Sequence, residues 1–263
     1  VINTIKKFLS RMYILVTLFF EKQFKTPDCT LRYLLFKKKK TKRLLVIFSS
    51  YPGKDRPARY NYILKFKKLR TSRLYILDNF GFDKRGAYYL GENKDFYIER
   101  AVHELIESVR KELELEKENV ILTGSSKGGF AAMYFENKYN YGASVVGAPQ
   151  VRLGNYLRLD WHKQIFEFIM GEVNDQNCDF LNDLLFDMIN QKETKPNISI
   201  HVSKQESMYT KHVVPLLDFL EDVDCDLDLD FGNYKNHSDV GPHFANYALK
   251  QIPLLFKKLE QKN

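Results

Sequence analysis

The chain has 263 residues, 44% hydrophobic and 28% charged, with a formal net charge of +8. That is enough apolar material for one sizeable core, and the basic excess points to an anionic partner or surface rather than to a fold. Cys29, Cys178 and Cys225 are odd in number, scattered and without metal-ligand spacing; they exclude a disulfide scaffold and a zinc site and fit a reducing compartment.

The first segment in chain order is IKKFLSRMYILVTLFFEKQFK. Its apolar core, residues 12–20, is far too short to cross a bilayer, and no small-residue cleavage site follows it. Residues 1–28 are read as an N-terminal amphipathic helix. It either packs on the domain, the ordinary fate of an apolar face, or lies on a membrane surface.

LRYLLF and RLLVIFSS read as strands on either side of a solvated lysine-rich turn, KKKKTK. YPGKDRPARYNY is a Pro/Gly-rich loop leading into a helical pattern, ARYNYILKFKKL. SRLYILDN is a buried strand. DFYIERAVHELIESVRKELELE, apolar at three- and four-residue intervals, is a long amphipathic helix. NVILTG is a strand, FAAMYFENKY a helix and ASVVGAP another strand. Residues 150–195 hold aromatics and helix formers without a strand signal, which predicts a helical insertion forming a lid. ISIHVS and CDLDLDF are strands, HVVPLLDFLED and HFANYALKQIPLLFKKLEQ helices. The alternation predicts an α/β fold over residues 29–263, with a mostly parallel sheet covered by helices on both faces.

The chemistry concentrates at ILTGSSKGGF, where a strand meets a helix. A P-loop would need the lysine after the second glycine with a hydroxyl following it, and the dinucleotide fingerprint is absent. Gly124, Ser125, Ser126, Lys127 and Gly128 instead match Gly-x-Ser-x-Gly. In that nucleophile elbow, glycines two residues either side of the serine let strand and helix crowd together. The spacing selects Ser126 over Ser125. The Lys127 backbone N–H would serve an oxyanion hole, with a second donor from residues 49–53, Ser50 or Tyr51.

A serine nucleophile needs a base and an orienting acid, which in such folds follow in the order Ser, Asp/Glu, His. His103 falls within a helix, His201 within a strand, and His162 precedes the acid candidates. His237 lies in the polar loop NYKNHSDV after the last strand, with His243 as reserve. Glu206, just beyond ISIHVS, is the acid candidate, with Asp222 and Asp224 behind it.

TGSSKGG and NYGASVVGAPQ, with YPGKDRPARYNYI, RGAYYL, IHVSKQES and the histidine loop, resemble bacterial capsular-polysaccharide O-acetyltransferases of α/β-hydrolase type. The same residues are similar, more distantly, to the O-acetyltransferase component of accessory Sec systems. The resemblance spans about residues 30–250. It implies Ser126 as nucleophile, His237 as base and Glu206 as acid, although the capsule enzyme carries aspartate at the acid position. It further implies acetyl transfer from acetyl-CoA, without metal, to a sugar hydroxyl of a capsular polysaccharide. Lys54, Arg56 and Arg59 would hold an anionic polymer or the phosphates of CoA, and Trp161 would stack on sugar. An esterase or deacetylase with the same triad is the alternative; a non-catalytic subunit of a capsule assembly complex is another. The expected location is the cytoplasm or the inner face of the membrane, in contact with a capsule complex, and no nucleic-acid partner is expected.

Overall fold

The structure is a computed structural model that describes residues 2–53 and 56–261. Helix α1 (Ile2–Leu18) precedes two antiparallel strands, β1 (Lys22–Lys25) and β2 (Thr30–Phe36). Strand and helix then alternate: β3 (Leu44–Phe48), the short α2 (Ile63–Phe66), β4 (Ser72–Leu77), α3 (Tyr97–Glu112), β5 (Val120–Ser125), α4 (Lys127–Tyr139) and β6 (Ala143–Gly147). Three helices follow, α5 (Leu153–Leu157), α6 (Lys163–Met170) and α7 (Asp175–Asn190). The chain closes with β7 (Asn197–Val202), α8 (Val214–Leu220), β8 (Asp226–Phe231) and α9 (Val240–Glu260).

The strands form one eight-stranded sheet in the order β1-β2-β4-β3-β5-β6-β7-β8. β1, β2 and β4 pair antiparallel, and every other pair is parallel. LLVIF in β3 and ASVVG in β6 are buried at all positions. Strands between two helix layers have no wet face, so their sequences run apolar without alternating. α3 buries Ile98, Val102, Leu105, Ile106 and Val109, the stripe its periodicity predicts. β8 ends the sheet with DLDLDF, whose charges discourage pairing of that edge with another chain.

The structure departs from the sequence reading in two places. The helical pattern over 58–69 is realised only at Ile63–Phe66, because Tyr62 has φ 63°, a left-handed backbone that no α-helix passes through. β1 falls inside the segment assigned to the N-terminal helix, and its four residues, KQFK, have no apolar run to announce a strand. The loops after β3, β5, β7 and β8 leave the C-terminal ends of parallel neighbours, where α/β folds assemble their sites.

Candidate active site

Ser126 sits between the last residue of β5 and the first of α4, with φ 54° and ψ −120°. Such a backbone costs a non-glycine residue about 1–3 kcal/mol and persists only when its surroundings enforce it. Two constraints do so here. Ser126 N–H donates to Gly147 O at 2.8 Å, fixing the turn to the end of β6. A Cβ on Gly124 would come within 2.5 Å of the Gly128 backbone, and one on Gly128 within 2.8 Å of Phe48 O. Strand and helix are therefore closer than side chains allow.

His237 lies in a short 3-10 turn, His237–Asp239, after β8, and Glu206 in the loop after β7. The His237 ring spans the two: Nε2 is 2.9 Å from Ser126 Oγ and Nδ1 is 2.9 Å from Glu206 Oε2. Glu206 is buried, and its Oε1 has no hydrogen-bond partner among the described residues. With Nδ1–H donating to the carboxylate, Nε2 is left to accept the serine proton. Ser125 is occupied differently. Its Oγ lies 2.9 Å from Ser50 Oγ and 2.5 Å from the Tyr62 hydroxyl, whose pKa burial pushes up to about 12.

The start of α4 offers the Lys127 N–H, which has no hydrogen-bond partner among the described residues. Of the two candidates for the second donor in the loop after β3, Ser50 is already engaged. Its N–H already donates to Asn61 Oδ1 at 2.9 Å, which leaves Tyr51. Arg85 braces that loop, donating to Pro52 O and Gly53 O at 2.9 Å each and stacking 4.7 Å from the Tyr51 ring centre. Beneath the turn, the Lys127 ammonium donates to Asp78 Oδ2 at 2.6 Å with neither side chain exposed. Burial holds the lysine below its ordinary pKa, and the carboxylate opposes that shift. Asp78 also accepts from the Ala87 and Tyr89 N–H groups, so the pair pins the 78–89 segment under the elbow.

The other candidates are dispersed. His243 is exposed on α9, beside His201 and Tyr234. His103 packs on Tyr139 and Tyr141, and His201 pairs with Asp230. Asp222 is exposed just past α8. Asp224 pairs with Lys195 next to the start of β8, at the opposite end of that strand from the His237 loop. Arg56 and Arg59 are exposed, and Lys54 lies outside the described residues. Trp161 is 73% exposed. It lines a cleft of about 450 Å³ together with Arg152, Tyr156, Met208, Lys211 and His212.

The sequence reading assigns no role to His212, which a π-helical turn, Tyr209–Val213, brings to this cleft. Its Nδ1 accepts from the Val151 N–H at 3.2 Å, and burial lowers its pKa to about 4, with His237 and Lys211 adding to the shift. The ring is therefore neutral, with its proton on Nε2. Asp78 has a faint signal in sequence, a carboxylate closing an apolar strand. Asn61, Tyr62, Arg85 and His212 have none.

A serine on such a turn, approached from the loops of two later parallel strands, is the layout of the α/β-hydrolase fold, and the chain has that fold. The family described as the accessory Sec system GspB-transporter matches residues 43–222, and the chain belongs to it. Among solved structures, the capsule O-acetyltransferase of Neisseria meningitidis serogroup A is similar at 26% identity and TM-score 0.75, over 88% of this chain and 92% of that one. A mutant of that enzyme in complex with CoA is similar at 25% identity, over 88% and 94%, with TM-score 0.75. The glycosylation-associated Gap123 complex of Streptococcus agalactiae shares the fold at 17% identity and TM-score 0.74, over 89% of this chain and 46% of that one. An S-formylglutathione hydrolase from Agrobacterium tumefaciens does so at 15% and 0.67, over 91% and 94%. A search among curated proteins finds no match. The similarity to the capsule enzyme supports an acyl-transferring activity.

Proposed function

We propose that the protein moves an acetyl group from acetyl-CoA to a sugar hydroxyl of a bacterial surface polysaccharide through an acyl-enzyme on Ser126. The observation that carries this reading is the His237 ring bridging Ser126 Oγ and Glu206 Oε2 at 2.9 Å on both sides. In the first half, His237 Nε2 takes the Ser126 proton as Oγ bonds to the thioester carbonyl carbon. The Lys127 and Tyr51 N–H groups receive the developing oxyanion. The C–S bond breaks, and Nε2 returns the proton to the departing sulfur. In the second half, Nε2 takes the proton of the sugar hydroxyl, whose oxygen bonds to the acyl carbon. The bond to Oγ breaks, and Ser126 recovers its proton. Glu206 holds the imidazole in the required tautomer and stabilises its cation throughout.

The cleft beside His212 suits the donor, since it combines an aromatic and apolar wall with the cations Arg152 and Lys211. That composition fits an extended thiol arm ending in phosphates. The mutant of the meningococcal enzyme in complex with CoA supports the choice of donor. Trp161 would stack on sugar, while Arg56, Arg59 and Lys54 would meet anionic groups of the polymer.

The test is CoA release from acetyl-CoA, with and without a panel of de-O-acetylated capsule polymers. Release that requires a polymer and leaves acetyl on it supports the transferase. Equal release without any polymer, together with loss of acetyl from acetylated polymers, would make the protein an esterase. No release and no labelling by a fluorophosphonate would leave it a non-catalytic subunit.

A further inference from the structure

α1 is turned the wrong way round for a helix that merely packs on a core. Ser10, Ile14 and Thr17, at four- and three-residue spacing, are its less exposed residues, and Thr17 is 4% exposed. Ile5, Phe8, Leu9, Met12, Leu15 and Val16 occupy the outward surface at helical spacing and are between 42% and 62% exposed. Phe19, just past the end of α1, is 88% exposed. A core-packed amphipathic helix has the reverse arrangement, apolar inward and polar outward.

We propose that α1 is an interfacial anchor that seats the protein on a bilayer containing anionic lipid. The charge pattern selects this occupant. Lys6, Lys7 and Arg11 are exposed on α1, which has no acidic residue. Exposed Lys65, Lys67 and Lys68 lie on or just beyond α2, and Lys67 Nζ stands 4.1 Å over the Tyr13 ring. An apolar face bordered by basic residues is what a helix lying in the headgroup plane requires, its face sunk about 5–10 Å into the acyl boundary. A second copy of the chain meets the surface less well, because the basic residues of both helices would then face each other with no carboxylate on α1 to match. Among the described residues no helix is long and apolar enough to cross a membrane.

The position of the anchor matters. Ile14 shares a groove with Tyr60, Tyr62, Ile63, Gly241 and Pro242, and the Tyr62 hydroxyl touches Ser125, the neighbour of Ser126. Attachment through α1 would therefore hold the Ser126 turn close to the bilayer surface.

Co-sedimentation of the full chain with vesicles tests the proposal without reference to catalysis. Vesicles of phosphatidylcholine with phosphatidylglycerol should pellet the protein, and vesicles of phosphatidylcholine alone should pellet much less. Raising the salt should release it. The double variant Phe8→Glu/Leu15→Glu changes two exposed residues, so its melting temperature should match the parent. Its partitioning should fall more than about tenfold, from the lost apolar burial. Lys6→Ala and Lys7→Ala should each lower partitioning about fivefold on anionic vesicles. The proposal is overturned if the chain stays in the supernatant with both vesicle types, or pellets in a way these variants leave unchanged. It is equally overturned if the chain sediments as a dimer that Phe8→Glu/Leu15→Glu splits, which would make α1 a contact between copies.

Discussion

The Ser125 hydroxyl faces the Tyr62 hydroxyl at 2.5 Å, one residue away from a serine that faces a histidine. The tandem serines are thus separated by environment: one closes a hydrogen-bonded cluster with Ser50 and Tyr62, the other is presented to His237. Ser126→Ala should lower turnover by about 10³–10⁶-fold. Ser125→Ala should keep most of it and lose some thermal stability. A fluorophosphonate should label the parent and the Ser125 variant but not the Ser126 variant; the opposite ranking in folded proteins would move the nucleophile.

His237→Ala should be as inactive as Ser126→Ala, and Glu206→Gln somewhat less so, since an amide keeps the ring in place but favours the wrong tautomer and does not stabilise its cation. His243→Ala should be near the parent, because that side chain is exposed on α9 away from the Ser126 hydroxyl. Steady-state kinetics on the three variants separates these expectations. An inactive His243 variant with an active His237 variant would reassign the base.

Arg85 acts through the loop that carries Tyr51. Arg85→Ala should release Pro52 O and Gly53 O, and turnover should fall about tenfold to a hundredfold while the Michaelis constant hardly changes. Arg85→Lys should not restore the rate, because an ammonium lacks the planar fork that serves two carbonyls and stacks on a ring. Single-turnover acylation reads the effect directly. A rise in the Michaelis constant alone would mean that Arg85 binds substrate instead.

The buried Lys127–Asp78 pair predicts asymmetric energetics. Lys127→Met strands a carboxylate with no access to water and should cost about 3–5 kcal/mol. Lys127→Met combined with Asp78→Leu should cost less than the two single changes added together, since no charge is left buried. Urea unfolding of the four proteins measures the coupling.

Three histidines, His103, His162 and His212, are held by burial at a pKa of about 4, below the ordinary value of 6.5. Between those values the unfolded chain binds more protons than the folded one, so stability rises with pH across the window. The melting temperature should therefore begin to drop as pH falls below about 6.5 and go on dropping toward 4. His103→Phe should flatten part of the slope, read from thermal unfolding across that range. A slope unchanged by the substitution would place the proton uptake elsewhere.

Much of the architecture is legible in the sequence because its signals are local. All-apolar strands, the periodic stripe of α3 and the glycine-framed junction at Ser126 each declare themselves within a few residues. The polar loops holding Glu206 and His237 are recognisable because they follow strands. Asn61, Tyr62, Arg85 and His212 cannot be read this way, since each matters only through a partner made adjacent by the sheet. Tyr62 meets Ser125 from a loop 63 residues earlier in the chain, and Arg85 reaches Pro52 across two loops. The left-handed turn at Tyr62, which shortens α2, has no residue-type signature, because tyrosine seldom adopts it.

The lysine of the serine turn and the aspartate at the end of β4 also constrain how such a chain diverges. Either one, replaced alone, leaves an ion sealed from water, so a lineage has no neutral single step away from the pair. The two positions should therefore change together or not at all, with Gly86, whose missing Cβ makes room for the ammonium, locked to them as a third member. A relative that carries an apolar residue in place of the lysine is expected to carry one in place of the aspartate as well.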